Sequence, residues 1–172
     1  MKLKTAFLTS LLLTSTAFAA DDITVDMTNL NTGESVGTVT ISSHPYGTLF
    51  TPHLKNLPTG IHGFHVHEIA SCDAKKKDGE LVPGGAAGSH YDPSNTGKHA
   101  EPWSFEGHKG DLPALYVDEN GNATLPVLSP KLKLKELHNR SLMIHLNGDN
   151  YSDNPKPLGG GGGARLACGV IH

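Results

Sequence analysis

The chain has 172 residues and a formal net charge of −3, with 18% charged and 37% hydrophobic residues. This composition excludes a coiled coil and an acidic disordered tail, and the slight negative charge argues against a basic face that would bind nucleic acid. Two cysteines are too few for a disulfide-rich miniprotein, and the length suits one domain. Eleven histidines, by contrast, outnumber the five Phe, four Tyr and one Trp together, and imidazole is the commonest metal ligand.

Residues 1–19 have the three parts of a secretory signal peptide. Lys2 and Lys4 give a positive start, residues 5–14 are mostly apolar, and Ala17-Phe-Ala19 supplies the small residues of a cleavage site. The apolar run is too short for a stable membrane anchor. We therefore predict cleavage after Ala19 and a single mature domain of residues 20–172. The alternative interpretation of this segment is a first helix of the fold.

Short segments of alternating apolar and polar residues dominate the rest of the chain and predict an all-β protein. In chain order they span residues 23–27, 36–41, 47–51, 61–67, 114–117, 123–128, 142–146 and 166–171. Asn120-Gly121, between the fifth and sixth segments, predicts a hairpin. About eight short strands without a convincing helix indicate an antiparallel sandwich or barrel, in which residues 131–138 add at most one turn of helix.

Two long segments, residues 68–111 and 147–164, are rich in Gly and polar residues and are not predicted as strands. Loops of this length in a compact domain are usually functional or disordered, so we expect them to carry function. The five glycines 159–163 alone are typical of a flexible linker, but they lie too close to Cys168 and the last predicted strand to join two domains. Cys72 and Cys168 predict one disulfide in the oxidising compartment that export implies. A thiolate metal site is the weaker alternative, because neither cysteine belongs to a C-x-x-C motif.

The histidines form a pattern that points to metal binding. His65 and His67 alternate along a predicted strand, so both rings lie on one face and can reach one ion. Further candidate ligands are His90, His99, His108, Asp111 and His145, with Asp149 and Arg165 beyond them. Three histidines and a carboxylate suit zinc, whereas three or four imidazoles suit copper. Because spacing alone does not divide these ligands, the residues predict a secreted β protein with one or two histidine-rich metal sites.

These residues, in their order and context, resemble the copper,zinc superoxide dismutases through nearly all of the predicted mature chain. The motifs are His65-Val-His67, Gly88-Ser-His90-Tyr-Asp-Pro, His99, Gly107-His108-Lys-Gly-Asp111-Leu-Pro, His145 with Asp149, and Arg165-Leu-Ala-Cys168-Gly-Val-Ile. The long insert after Asn147 and the glycine-rich stretch are similar to the bacterial periplasmic branch. The resemblance therefore implies a periplasmic enzyme whose fold is an eight-stranded antiparallel Greek-key barrel or sandwich with two long functional loops.

The resemblance implies a role for each site residue. Copper would be held by His65, His67, His90 and His145, and zinc by His90, His99, His108 and Asp111, with one ion of each metal per subunit. His90 would bridge the two metals. Asp149 would accept N–H bonds from one ligand of each metal, His65 and His99. Arg165 would face the open side of copper and act with His90 in catalysis. The Cys72–Cys168 disulfide would tie the first long loop to the last strand.

The activity implied is conversion of superoxide to dioxygen and hydrogen peroxide by Cu(II)/Cu(I) cycling, which would protect the cell envelope. Because the chain is acidic overall, Arg165 would supply the local positive charge for the anion, with Lys77, Lys109 and Lys156 as weaker candidates. Ser89 departs from the family pattern, where a glycine is expected before the bridging histidine.

The assembly predicted is a homodimer that involves Trp103, because Trp103 and residues 46–54 resemble the dimeric bacterial members of the family. No nucleic acid or membrane anchor is expected as a partner. Two interpretations of other classes compete with the enzyme. A copper or zinc store explains the histidines but not Arg165, and an adhesion sandwich with incidental histidines does not explain the His/Asp spacing.

Overall fold

The computed structural model describes residues 22–154 and 161–172. The predicted signal peptide, Lys156 and the first two residues of the glycine run lie outside these residues. Eleven strands share this part of the chain with two short 3-10 helices, Gly85–Ala87 and Leu134–Glu136. The strands are β1 (Ile23–Asn29), β2 (Ser35–His44), β3 (Gly47–Leu54), β4 (Gly60–His62), β5 (Phe64–His67), β6 (Lys75–Lys77), β7 (Glu80–Val82), β8 (Leu115–Val117), β9 (Val127–Ser129), β10 (Arg140–His145) and β11 (Arg165–Ile171).

Seven of the strands form one antiparallel sheet that curls into a half-barrel. Their order is β5-β10-β11-β1-β2-β3-β9, so the last strand of the chain lies between β10 and the first. Two further antiparallel pairs, β4–β8 and β6–β7, complete the described strands. The expected all-β antiparallel fold is confirmed. Among residues 22–154 and 161–172, no helix has the length and apolar character needed to cross a membrane.

The core lies inside the half-barrel and follows the alternation of the strands. On β1, Val25 and Met27 are fully buried while Asp26 between them is exposed. Phe64 belongs to the edge strand β5 and Phe50 to β3, the second strand from the opposite edge of the large sheet, and their rings meet edge to face with centroids 6.0 Å apart. This packing closes the half-barrel and places β5 against its interior.

Two local predictions differ from the structure. The predicted strand 61–67 is divided at Gly63 into β4 and β5, which pair with different partners. Gly63 lies against the glycine run, since a Cβ there would be 2.6 Å from the carbonyl oxygen of Gly161. The Asn120-Gly121 turn forms, but its flanking segments pair with β4 and with Leu54 instead of with each other. The turn therefore joins two separate pairings, and no hairpin results.

The first long loop also contains a hairpin that the prediction left out. β6 and β7 pair through Lys75↔Val82 and Lys77↔Glu80. Asp78 and Gly79 between them have φ values of 52° and 87°, as a tight type I′ hairpin turn requires. Three consecutive exposed lysines hid the strand, since they show no alternation of apolar and polar residues.

Candidate metal centre

The β5 strand contains His65 and His67, and the rest of the site is positioned around it. It pairs with β10 on one edge, with Met143 opposite His65 and Ser141 opposite His67. The first long loop returns along the other edge, where Val66 donates its N–H to Gly110 (2.9 Å) and accepts from Tyr91 (2.8 Å). These bonds set His90 opposite His67 and Asp111 opposite His65. Residues far apart in sequence are thus brought beside the two histidines by main-chain hydrogen bonds.

The first group of potential ligands is His65, His67, His90 and His145, whose ligand atoms all lie within 4.8 Å of one another. His67 Nδ1 donates to the carbonyl of Gly88 (3.0 Å), and His145 Nδ1 donates to that of Gly163 (2.8 Å). Because a carbonyl oxygen only accepts, these bonds fix the proton on Nδ1 and leave a lone pair on Nε2.

The free nitrogens of this group have the character that a metal requires. His65 Nδ1, His67 Nε2 and His145 Nε2 are buried and have no hydrogen-bond partner among residues 22–154 and 161–172. A buried nitrogen without a partner is costly, and three that converge on one point are what a metal ion would satisfy. Burial first, and the neighbouring histidines second, lower the pKa of His65 and His67 well below the usual value, and burial lowers the pKa of His145 to about 4. All three rings are therefore neutral near pH 7, as ligation requires.

The second group surrounds one carboxylate oxygen. Oδ1 of Asp111 lies 2.9 Å from His90 Nδ1, 2.9 Å from His99 Nδ1 and 3.5 Å from His108 Nδ1. A tetrahedral zinc site with bonds of about 2.0–2.1 Å has ligand–ligand edges of about 3.3 Å, so these distances fit such a shell. The close set within 4.8 Å contains His65 in place of His108. His108 is the better fourth ligand, because its Nδ1 is buried without another partner among the described residues, whereas His65 Nε2 already donates to Asp149.

The charges of the second group also fit a cation. Burial alone would raise the pKa of Asp111, but hydrogen bonds from His108, His90 and His99 hold it well below its usual range. Burial would lower the pKa of His99, but bonds to Asp111 and Asp149 raise it to about 9. Burial lowers the pKa of His90 in spite of its bond to Asp111. The proton that His99 holds against Asp111 lies where a bound metal would place its positive charge.

Asp149 connects the two groups. Its Oδ2 accepts from His65 Nε2 at 2.6 Å, and its Oδ1 accepts from His99 Nε2 at 2.7 Å. The main-chain N–H of Tyr151 also donates to Oδ1, at 2.7 Å. Both carboxylate oxygens are therefore used, and one side chain sets the orientation of two rings in different groups.

Arg165 begins β11 and lies beside the first group. Its Nη2 donates to the carbonyl of Gly88 at 2.6 Å and its Nη1 donates to that of Gly84. The Gly88 carbonyl is the one that also accepts from His67, so the guanidinium and this ring share an anchor. A disulfide joins Cys72 to Cys168, with Cα atoms 5.8 Å apart, and fastens the loop that contains both glycines to β11.

Some residues of the site were not singled out from the sequence. A Cβ on Gly161 would lie 2.8 Å from His90 Cε1 and 3.0 Å from His65 Cε1, so only glycine fits there. At this residue the glycine run therefore packs against the two histidine rings. Ser89 is exposed, and its N–H donates to Oε1 of Glu68 at 2.9 Å, so its side chain meets no obstacle.

The other five histidines lie outside both groups. His62 is buried, with ring nitrogens 2.8 Å from the carbonyl oxygen of His145 and 2.7 Å from that of Pro58. The rest are exposed: His44, His53, His138 and His172.

Two of the lysines considered as steering residues lie among the described residues. Lys109 forms an ion pair with Glu136 at 2.7 Å, which offsets its positive charge, while Lys77 is exposed opposite Glu80.

An antiparallel half-barrel with two adjoining groups of metal ligands that share His90 defines a β-sheet protein with a two-metal histidine centre. The sequence profile described as "Copper/zinc superoxide dismutase (SODC)" matches residues 35–171. The chain belongs to this family, and the membership confirms the expected enzyme class, superoxide dismutase, and the expected cofactors, copper and zinc.

Individual relatives extend the match over most of the chain. The Cu-Zn superoxide dismutase of Photobacterium leiognathi is 56% identical over 169 residues, which cover 95% of this chain and 97% of the relative. The structure of the Brucella abortus Cu/Zn enzyme superposes with a TM-score of 0.83 at 51% identity, covering 88% of this chain and 100% of the other. The solution structure from Salmonella enterica, described as monomeric, gives a TM-score of 0.77 at 52% identity with the same coverages.

Proposed function

We propose that this chain converts superoxide to dioxygen and hydrogen peroxide, with copper on the first ligand group and zinc on the second. His65, His67, His90 and His145 would hold copper, and His90, His99, His108 and Asp111 would hold zinc. The observation that carries the assignment is the set of buried, lone-pair nitrogens in the first group, next to a carboxylate oxygen ringed by three Nδ1 atoms in the second. The first group lacks a carboxylate and suits copper, whereas the second is a closed zinc shell.

Bound copper would supply the alternating one-electron oxidation and reduction of superoxide. The chain's own residues supply position and protons. His90 faces both groups, and its Nδ1 stays beside Asp111. Its Nε2, on the side of the first group, is the atom that we assign to take up a proton and pass it to the product. His65 and His67 remain neutral because of their burial, so they do not compete for that proton near pH 7.

Arg165 is the residue that we assign to bind the superoxide anion. Burial lowers the pKa of its guanidinium, but an arginine stays charged at neutral pH. Its anchors at Gly84 and Gly88 direct the charge beside His67. Since charges more than about 8–10 Å away are largely screened at physiological salt, this local cation outweighs the net negative charge of the chain.

One assay distinguishes the enzyme from a metal store. The purified protein is loaded with copper and zinc, its metal content is measured, and superoxide loss is followed with and without cyanide. We expect copper-dependent activity that cyanide abolishes. His67→Gln, loaded in the same way, is the negative control, because it lacks one of the proposed copper ligands. It should lose copper and activity. Stoichiometric metal without activity would favour storage instead.

We also propose export to the periplasm, where the enzyme would protect the cell envelope from superoxide. The support is the tripartite segment before Ala20 and a disulfide, which forms in oxidising compartments. Osmotic-shock fractionation and the intact mass of the released protein test this. A mass that corresponds to residues 20–172 in the periplasmic fraction is expected, and an uncleaved cytosolic chain would contradict export.

The assembly that we propose is a homodimer through the face around Trp103. Trp103 is 65% exposed and lies near Tyr151, with ring centroids 6.4 Å apart. The Tyr151 hydroxyl accepts from the N–H of Ala114 at 2.9 Å, next to β8, where exposed Tyr116 lies opposite exposed Ile61 of β4. These side chains extend the apolar surface around Trp103, and such surfaces mark interfaces.

Sedimentation velocity over a range of concentrations tests this dimer. We expect dimer mass for the wild type and for Leu125→Glu, an exposed control, and monomer mass for Trp103→Glu. A wild-type mass that stays monomeric at every concentration would contradict it; the Salmonella enterica relative is described as monomeric.

A further inference from the structure

Lys131 is a buried cation that belongs to neither ligand group. It lies in the segment Pro130-Lys-Leu-Lys-Leu-Lys135, where lysines alternate with leucines. Lys133 and Lys135 are exposed, but Lys131 is only 6% exposed. A buried ammonium requires hydrogen-bond partners and opposite charge, so its surroundings show what it is there to hold.

Its partners are main-chain oxygens of the segment that contains the second ligand group. Lys131 Nζ donates to the carbonyl of His108 at 2.7 Å and to that of Ser104 at 3.1 Å. Residues 98–110 contain no strand or helix, and within them the N–H of His108 donates to the carbonyl of Lys98 at 2.8 Å. The ammonium of Lys131 adds a restraint from outside the segment, on the carbonyl of His108.

The platform that presents Lys131 is itself rigid. Before it, Ser129 of β9 pairs with Thr48 of β3. After it, the Thr48 hydroxyl donates to the carbonyl of Leu132 at 2.9 Å, and the Leu132 side chain is 1% exposed. The main chain on both sides of Lys131 is therefore hydrogen-bonded to the large sheet. The sheet fixes the point from which the Lys131 side chain extends toward the loop.

A second tether joins the same two segments. Lys109, the residue after His108, pairs with Oε2 of Glu136 at 2.7 Å. Oε1 of Glu136 accepts the N–H of Lys133 at 2.7 Å, which holds the carboxylate at the start of its 3-10 helix. This pair is partly exposed and salt-screened, so it is worth less than the buried contact.

The charge of Lys131 has counterparts on the side of the loop. The carboxylates of Asp111 and Asp92 attract the ammonium, while burial opposes its charge and lowers the pKa of Lys131. The Lys131 ammonium is therefore attracted by the carboxylate of the second group while it is hydrogen-bonded to the His108 carbonyl.

We propose that Lys131 is a positioning residue for the zinc-binding group: it holds the main chain of His108 so that Nδ1 stays directed at the site beside Asp111. This rests on the proposed placement of zinc in that group. The first ligand group has no contact with Lys131 among the hydrogen bonds of the described residues, so the effect is confined to one metal.

The test compares metal release from the fully loaded protein. In Lys131→Met, zinc transfer to a colorimetric chelator should be about tenfold faster or more, the scale at which residues that orient metal ligands act. Copper absorption in the visible range should stay unchanged. With Co(II) in the zinc site, the d–d bands should shift in Lys131→Met and return in Lys131→Arg, which keeps the charge and the donors. Lys133→Met, an exposed lysine two residues on, should match the wild type.

The outcomes separate this proposal from the metal assignment. If elemental analysis shows that the wild type itself does not hold zinc, both the zinc assignment and the role of Lys131 are overturned. If the wild type holds zinc and Lys131→Met releases it at the wild-type rate, only the role of Lys131 is overturned. Equal loss of copper and zinc, without recovery in Lys131→Arg, would also overturn it, because that result indicates general destabilisation. If Lys131→Met does not fold, Lys131→Gln, which keeps an N–H donor group without the charge, is measured in its place. Zinc release from Lys131→Gln at the wild-type rate would also overturn the role of Lys131.

Discussion

Nε2 of His65 lies 2.6 Å from Oδ2 of Asp149, although 84 residues separate them in the chain. The same carboxylate accepts from His99 Nε2 at 2.7 Å, so the two proposed metal ligands share one acceptor. In the proposed centre, a ring that donates from Nε2 would present its Nδ1 lone pair to the metal, so this carboxylate would select the ligating atom in both groups.

Asp149→Asn should lower the occupancy of both metals while the half-barrel stays folded. Only one oxygen remains, and the new NH2 group meets an N–H donor, so one of the two rings loses its orientation. Loss of such partners typically weakens metal affinity about 10–100-fold. Elemental analysis after dialysis, with circular dichroism as the check on folding, measures this. Asp118→Asn, in the turn after β8 and outside both ligand groups, is the matched control, because an Asn Oδ1 can still accept the bonds from Asn120 and Asn122. Full metal loading of Asp149→Asn would refute the prediction.

Arg165→Glu should keep both metals and slow turnover strongly. The substitution replaces the cation beside His67 of the first ligand group with an anion, so superoxide is repelled where it was attracted. The rate of the wild type should fall with added salt, whereas that of the variant should rise as salt screens the repulsion. Lys55→Glu, in the exposed loop after β3 near the other edge of the large sheet, makes the same charge change and should keep the wild-type salt response. An unchanged low-salt rate in Arg165→Glu would exclude steering by this residue.

Gly161→Ala should reduce copper occupancy more than zinc occupancy. Its methyl group would meet the stacked rings of His90 and His65, whose centroids are 4.0 Å apart, and would displace them or the loop. Gly148→Ala is the control, because its nearest atom, the Ile61 carbonyl oxygen, is 3.4 Å from the added carbon. Equal copper binding by the two variants would contradict this prediction, because it would show that the loop moves without displacing the two rings.

The metal-free protein should be most stable near neutral pH. The pKa of His145 is lowered to about 4, so between pH 6.5 and 4 the unfolded chain binds a proton that the folded chain does not, and stability falls as pH falls. From His145 alone the loss is about 3 kcal/mol across that window. The pKa of His99 is raised to about 9, so stability also falls as pH rises from 6.5 to 9.

Urea unfolding of the metal-free protein at a series of pH values measures this dependence. His145→Asn should flatten the acid arm of the curve. His53→Asn, which changes an exposed histidine of β3, should leave it intact. Equal stability at pH 4.5 and pH 6.5 in the wild type would contradict the assignment of a buried neutral ring.

The strand alternation at His65 and His67 was sufficient to place both rings on one face, since side-chain direction in a strand follows from sequence position. The pairing of Asp149 with His65 and His99 had no such local signal, because it depends on how a distant loop returns to β5. It was expected only from the family resemblance. The division of ligands between the metals depends in the same way on which ring nitrogen is free, and spacing does not show this.

Lys131 and the β6–β7 hairpin show where residue type alone does not predict burial or strand formation. Alternating lysines and leucines predict exposed lysines, and two of the three are exposed, but Lys131 is buried by loop residues 104–108 that lie elsewhere in the sequence. At β6 the Asp78-Gly79 turn signal was present, yet lysines on both faces concealed the strand. Where charge has a tertiary partner, polarity alone does not indicate exposure.

The place of β11 inside the large sheet has a consequence for how a local disturbance would spread. β11 pairs with β1 on one side and with β10 on the other, and it contains both Arg165 and Cys168. A substitution that weakens the pairing of β11 would therefore loosen the guanidinium of Arg165 and the covalent attachment of the first long loop at the same time.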